Sequence, residues 1–316
     1  MARLTFWIVC PSLLMGLGFI IAEPSTDQKA PEAKHWSAQH PPAERSVFLG
    51  VSASIAATAT ATVPPRATPT PRPRPTPRLI PAVLYVASGT FGINGTLYTI
   101  DPATGLVITT VGPLHDAGNH LYGMTGLKYD RTSGIFYGAT SGQSPTNPAW
   151  LVKVDPATAL VTPIGSFVNG MSLTDIAIDP TTEVMYGLSG FNQKFYTINT
   201  ATGLATQTGS TGIGFANGGG FASDVTGAFF GFSNLSFYSF NKTTGAATLI
   251  GGTALGNLVK AADVSPSNVL YALEGGGGID NNHLRWLDTC NVATGACIRV
   301  GQIPVNDLDA LAFIPQ

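Results

Sequence analysis

LYTIDPATGLVITTVG, residues 97–112, reads as two short strands and the turn between them. Leu97-Tyr98-Thr99-Ile100 and Leu106-Val107-Ile108-Thr109 are β-branched, aromatic and aliphatic runs of strand length. Between them, Asp101 can cap the turn through its side chain, Pro102 fixes φ, and Gly105 supplies positive φ. The unit recurs. Its turns are DPATA at Asp155–Ala159, NTATG at Asn199–Gly203, NKTTG at Asn241–Gly245 and NVATG at Asn291–Gly295, at intervals of 54, 44, 42 and 50 residues.

A second motif alternates with the first: a small residue, an apolar strand, a short turn, and a strand ending at an aromatic. It runs Gly126–Gly138, Asp175–Gly187, Gly220–Gly231 and Ala261–Ala272, with Ser265 in place of the first-turn Asp. Two motifs make four strands per unit of about 45 residues, the period of a propeller blade. The ends complete the count. Ala310 to Pro315 matches only the first strand of a unit, and Ala82 to Ala87 matches the second. Four contiguous blades (about 125–165, 174–209, 219–251 and 260–301) and one shared blade (82–112 with 308–316) predict an all-β, five-bladed β-propeller over 81–316. Sharing a blade removes the open strand edges of an unclosed array.

The repeats resemble those of secreted bacterial β-propeller proteins with an LYxIDPxTGxxTxIG pattern. That likeness covers residues 81–316. It implies architecture and leaves function open, because propellers host lectins, hydrolases and scaffolds alike.

Composition and the leading segment bound the remaining choices. Only 11% of residues are charged, which excludes a coiled coil or long-helix protein. A net charge of −2 with no basic stripe excludes a nucleic-acid binder. Residues 1–22 read as a signal peptide: Arg3 precedes an uncharged apolar run ending at Ala22. An uncleaved membrane anchor is the alternative, and the one route to a membrane. Residues 23–80 read as a Pro/Thr/Ala-rich linker whose 57–78 tract favours extended polyproline II. The expected location is therefore secreted or on the cell envelope, and a monomer is expected. Cys290 and Cys297 flank the last turn on facing strands, so in an oxidising compartment they are expected to form a disulfide.

No catalytic fingerprint is present: no GxSxG elbow and no phosphate or dinucleotide loop. Candidate ligand contacts lie in the loops of one face, which vary in length, whereas the turns of the other face are near-identical. The loops entering the first strand of each blade (113–125, 166–174, 210–219, 252–260 and 302–309) each carry an Asn: Asn119, Asn169, Asn217, Asn257 and Asn306. Together with Asp175 and Phe191 they offer amides, a carboxylate and an aromatic suited to sugar or peptide. His115, Asp116 and His120 form a sparse metal-type set. Asp280 lies in EGGGGIDNNH, Glu274–His283, whose oxygens suit a hard cation such as Ca²⁺. Lys128 and Asp263 occupy matching first-strand positions and are expected to pair across the central channel. The leading function is an exported module binding carbohydrate or protein. The alternative is an extracellular hydrolase or lyase, metal-assisted, at the propeller mouth.

Overall fold

A computed structural model describes residues 81–89, 92–168, 171–214, 219–276 and 283–316. The described residues form twenty strands in five antiparallel four-stranded sheets, with no helix among them. The first blade holds β1 (Ala82–Ser88), β2 (Thr96–Ile100) and β3 (Val107–Pro113). The second is β4 (Met124–Asp130), β5 (Ile135–Thr140), β6 (Trp150–Val154) and β7 (Val161–Ser166). The third is β8 (Asp175–Ile178), β9 (Met185–Ser189), β10 (Lys194–Ile198) and β11 (Ala205–Ser210). The fourth is β12 (Phe221–Ser223), β13 (Phe229–Ser233), β14 (Ser236–Phe240) and β15 (Ala247–Gly252). The fifth is β16 (Leu258–Val264), β17 (Leu270–Gly275), β18 (Arg285–Cys290) and β19 (Cys297–Ile303). The last strand, β20 (Leu308–Pro315), returns to the first blade.

The first sheet has the order β20-β1-β2-β3, so the two ends of the repeat array build one blade, as the sequence predicts. Leu84 pairs with Phe313 and Val86 with Leu311, and all four side chains are buried. The innermost strands β20, β4, β8, β12 and β16 neighbour one another in ring order. This is a closed five-bladed β-propeller.

The repeated turns form as their chemistry dictates. Asp101 Oδ1 accepts the Ala103 amide at 2.8 Å, and Asp155, Asn199, Asn241 and Asn291 each accept the amide two residues on. The fifth turn position has positive φ throughout, including Ala159 at 60°. In the first-to-second strand turns, Asp130, Asp179 and Asp224 do the same, and Ser265 Oγ takes the Val269 amide at 3.1 Å.

The repeat glycines also join blades. A Cβ on Gly165, Gly209, Gly251 or Gly301 would lie 2.0, 1.8, 2.2 or 2.0 Å from the carbonyl of Thr202, Thr244, Thr294 or Thr104, each in the following blade's turn. Beside these contacts, Ala205 N donates to Phe167 O at 3.0 Å, Ala247 N to Thr211 O at 3.1 Å and Cys297 N to Thr253 O at 2.9 Å. Gly112 departs from the pattern, with nothing near it, where the next turn ends in Ala159 rather than Gly. The core fills the gaps between blades. Between the third and fourth, Phe195, Phe221, Phe229 and Phe240 form a chain of edge and stacked ring contacts 5.2–6.3 Å apart. Cys290 and Cys297 are directly opposed and disulfide-bonded, the expected pairing.

Candidate functional site

Call the face that carries the loops into each first strand the upper face. On it, the first loop is built around Asp116. Its carboxylate accepts the Gly118 and His120 amides, the His120 ring at 3.1 Å and the Tyr122 hydroxyl at 3.1 Å. Desolvation works to raise its pKa, but the His120, Gly118 and Tyr122 hydrogen bonds prevail and hold it down at about 2. Asn119 sits at the loop tip with φ of 62° and is exposed. His115 turns its Nδ1 to Pro113 O at 2.8 Å. His115, Asp116 and His120 are therefore organised by the loop itself. Among the described residues no three His, Cys, Asp or Glu side chains assemble as a metal centre.

The third blade contributes Phe191, whose side chain is 92% exposed. It projects from the β9–β10 turn, and the neighbouring Asn192 is fixed by its own hydrogen bond to the Tyr196 hydroxyl at 3.0 Å.

An ionic group on this face joins the fifth and first blades. His283 Nδ1 donates to Asp307 Oδ1 at 2.5 Å, leaving Nε2 as the second ring nitrogen. Arg285 is buried, donating to Leu308 O at 2.6 Å and Gly276 O at 2.9 Å, with Asp309 at 3.3 Å. Burial lowers the pKa of Lys260, opposed by Asp309. Asn306, beside Asp307, is exposed.

Several expectations need correction. Glu274 is not a cation ligand of an open loop. It is fully buried, accepts the Gly256 and Asn257 amides and the Asn257 side chain at 3.1 Å, and pairs with Arg299. The Asn257 side-chain NH2 is thereby turned toward Glu274. Beside this pair, Asp288 is fully buried, with Arg299 Nε 3.8 Å from its Oδ1. Burial, reinforced by Glu274, pushes it up to about 7. Asn169, Asn217 and Asp280 lie outside the described residues.

Asp175 is also no surface ligand residue; it lies on the propeller axis, fully buried. Its Oδ1 accepts Ile176 N at 2.8 Å and lies 3.4 Å from Lys128 Nζ. Its Oδ2 accepts Phe221 N at 2.9 Å and Ala262 N at 3.4 Å. Lys128 Nζ donates further to Ala262 O at 2.8 Å and Leu311 O at 3.3 Å. One ion pair thus touches all five blades. Burial pushes Asp175 up to about 7, against the pull of Lys128 and the amides. Lys128 pairs with Asp175 and not, as expected, with Asp263. Asp263 instead accepts Phe313 N at 2.8 Å.

No family model and no curated protein matches the sequence. Among solved structures, a chain from a nidogen–laminin complex is similar at 9% identity and a TM-score of 0.49, over 74% of this chain and 98% of that one. A structural-genomics protein of unknown function from Bacteroides thetaiotaomicron is similar at 17% identity and 0.47, over 68% and 54%. Hydrazine synthase of Kuenenia stuttgartiensis is similar at 14% and 0.39, over 61% and 52%. The chain spans about half the length of the latter two.

The opposite face holds a cavity of about 160 Å³ at the lower mouth of the axis, lined by Lys128 to Thr132, Ile178 to Pro180, Ser223 to Val225, Asp263 and Phe313 among others. Sequence reading passed over it, because its Asp residues look like turn caps, and three of them are.

Proposed function

We propose that the protein is an exported binding module that takes a carbohydrate or a protein on its upper face. The observation that carries this reading is Phe191, 92% exposed on a loop of that face. An aromatic ring held out to solvent suits stacking on a sugar or packing into a protein partner. Asn119 and Asn306 are exposed on the same face. The repeated lower turns differ: their Asp and Asn oxygens already accept their own backbone amides. The Cys290–Cys297 disulfide supports an oxidising compartment, and with it a secreted or envelope location behind the leading apolar segment. Membership among secreted LYxIDPxTG-type propellers is part of the same proposal.

The test is a glycan and protein array with the full chain, followed by variants against any hit. Phe191→Ala or Asn306→Ala is expected to weaken binding about tenfold with an unchanged melting temperature. Asn241→Ala on the lower face is expected to cost about 1 kcal/mol of stability and leave binding intact. The reverse pattern overturns the assignment of the face.

The His283–Asp307 pair favours a second reading, an acid–base enzyme at the same mouth. Turnover of any array hit, lost in His283→Gln, supports it; binding without turnover opposes it.

A further inference from the structure

The seam between the fourth and fifth blades carries an inference independent of any upper-face ligand. Strand alternation puts Glu274 of β17, Asp288 of β18 and Arg299 of β19 on one face of the fifth blade, together with Ala272, Cys290 and Cys297. That face packs on the fourth blade: Ala272, Cys290 and Val259 share a core with Phe232, Phe237 and Ile250. Two fully buried carboxyls therefore lie in an apolar layer beside one guanidinium. Their shares of it are unequal. Glu274 takes Arg299 Nη2, the Gly256 and Asn257 amides and the Asn257 side chain. Asp288 faces the other side of the same guanidinium, with Nε at 3.8 Å. One arginine neutralises one carboxylate, and a second buried negative charge beside it is both repelled and poorly solvated. Burial first and Glu274 second raise the Asp288 carboxyl to about 7, against the pull of Arg299. Glu274 and Arg299 are the charged groups that act on it; β16 and the fourth blade contribute Val259, Phe232 and Phe237 to this core.

We propose that Glu274, Asp288 and Arg299 form a pH-sensitive latch on this seam, shut while Asp288 holds a proton and loosened when it ionises. Protonated, Asp288 leaves Arg299 to Glu274, and Glu274 holds the upper-face loop through Gly256 and Asn257. Ionised, Asp288 competes for the guanidinium and repels Glu274, so the grip on the loop weakens. The sign follows from linkage. The carboxyl releases its proton near 3.8 in the unfolded chain and at about 7 in the fold, so between these values the unfolded state binds fewer protons. The contribution of this group to stability is therefore greatest at acid pH, falls as pH rises through that interval and is level above it.

Urea unfolding of the full chain and of its Asp288→Asn variant, at about pH 5 and about pH 8, tests the proposal. Asparagine keeps the shape of the protonated carboxyl and cannot ionise. Its midpoint relative to the parent's is expected to be higher at the upper pH than at the lower by about 0.5–1 M. Asp175, raised to about 7 as well, is common to both chains and drops out of the comparison. The Gly256 and Asn257 amides, corrected for intrinsic exchange, are expected to lose protection between the two pH values in the parent and to keep it in Asp288→Asn. Arg299→Gln, at a half-exposed position, removes the counter-charge and is expected to steepen the parent's loss of stability with pH; it decides the matter if Asp288→Asn does not fold. A gap between parent and Asp288→Asn that does not change with pH, amides that lose protection alike in both, or a pH dependence of Arg299→Gln no steeper than the parent's overturns the latch.

Discussion

Gly251 and Gly252 are neighbours in sequence with different duties. A Cβ on Gly251 would stand 2.2 Å from the Thr294 carbonyl of the next blade; on Gly252 the nearest atom is 3.9 Å away. Backbone must move in the first case and nothing in the second. Gly251→Ala is therefore expected to lose about 2–3 kcal/mol, in the range of overpacking, and Gly252→Ala less than about 0.5 kcal/mol. Urea unfolding of the two variants against the parent checks this, and equal losses contradict the interblade contact. The turn duty of glycine was legible in DPATG alone, because positive φ is a local property. The contact at Gly251 was not, because it exists only once a second blade is placed beside the first. The same distinction separates the Asn residues. Asn119 at a positive-φ loop tip is a local matter, whereas Asn257 is bound to Glu274, seventeen residues on.

At the scale of the element, the five innermost strands converge on one ion pair. Asp175 accepts from the third, fourth and fifth blades, and Lys128, rooted in the second, reaches the fifth and the first. Breaking a buried pair by removing one partner typically costs about 3–5 kcal/mol, since the other charge is left without compensation. Asp175→Asn is expected to cost that much, because Lys128 then sits at the axis with carbonyls alone. Lys128→Met is expected to cost less, about 1–3 kcal/mol, because burial already raises Asp175, so that without Lys128 the carboxyl takes up a proton and stays neutral with its amide donors in place. The double variant is expected to fall short of the sum by about 1–3 kcal/mol, and strict additivity in a double-mutant cycle contradicts the coupling. Sequence reading found Lys128 and placed it on the axis, but aligned it with Asp263. Strand alignment says which positions match between blades, not which neighbour a long side chain pairs with. Asp175 looked like a loop carboxylate because it opens β8. Its burial follows from the ring closing over it, with Gly126 leaving it space: a Cβ there would lie 2.8 Å from Asp175 Oδ1.

For the whole molecule, the repeat pattern foretold the blade number, the blade boundaries to within about two residues and the shared blade, because turn chemistry and strand alternation are written locally in every unit. The distribution of chemistry between the two faces was only half legible. The upper loops stood out by their variety. The lower cavity did not, because it is assembled from turn residues of several blades at once. Closure is the claim on which both faces depend, since neither the axial ion pair nor the cavity exists in an open array. β20 supplies the innermost strand of the first blade, Leu311 O to Lys128 and Phe313 to the cavity wall. Deleting Leu308 to Gln316 should expose two strand edges and remove all three. The direct measurement is the urea unfolding transition of the chain ending at Asp307 beside that of the full chain. Loss of a cooperative transition, or aggregation, is the result expected; a soluble truncation with the same midpoint and slope would contradict the closed five-bladed ring.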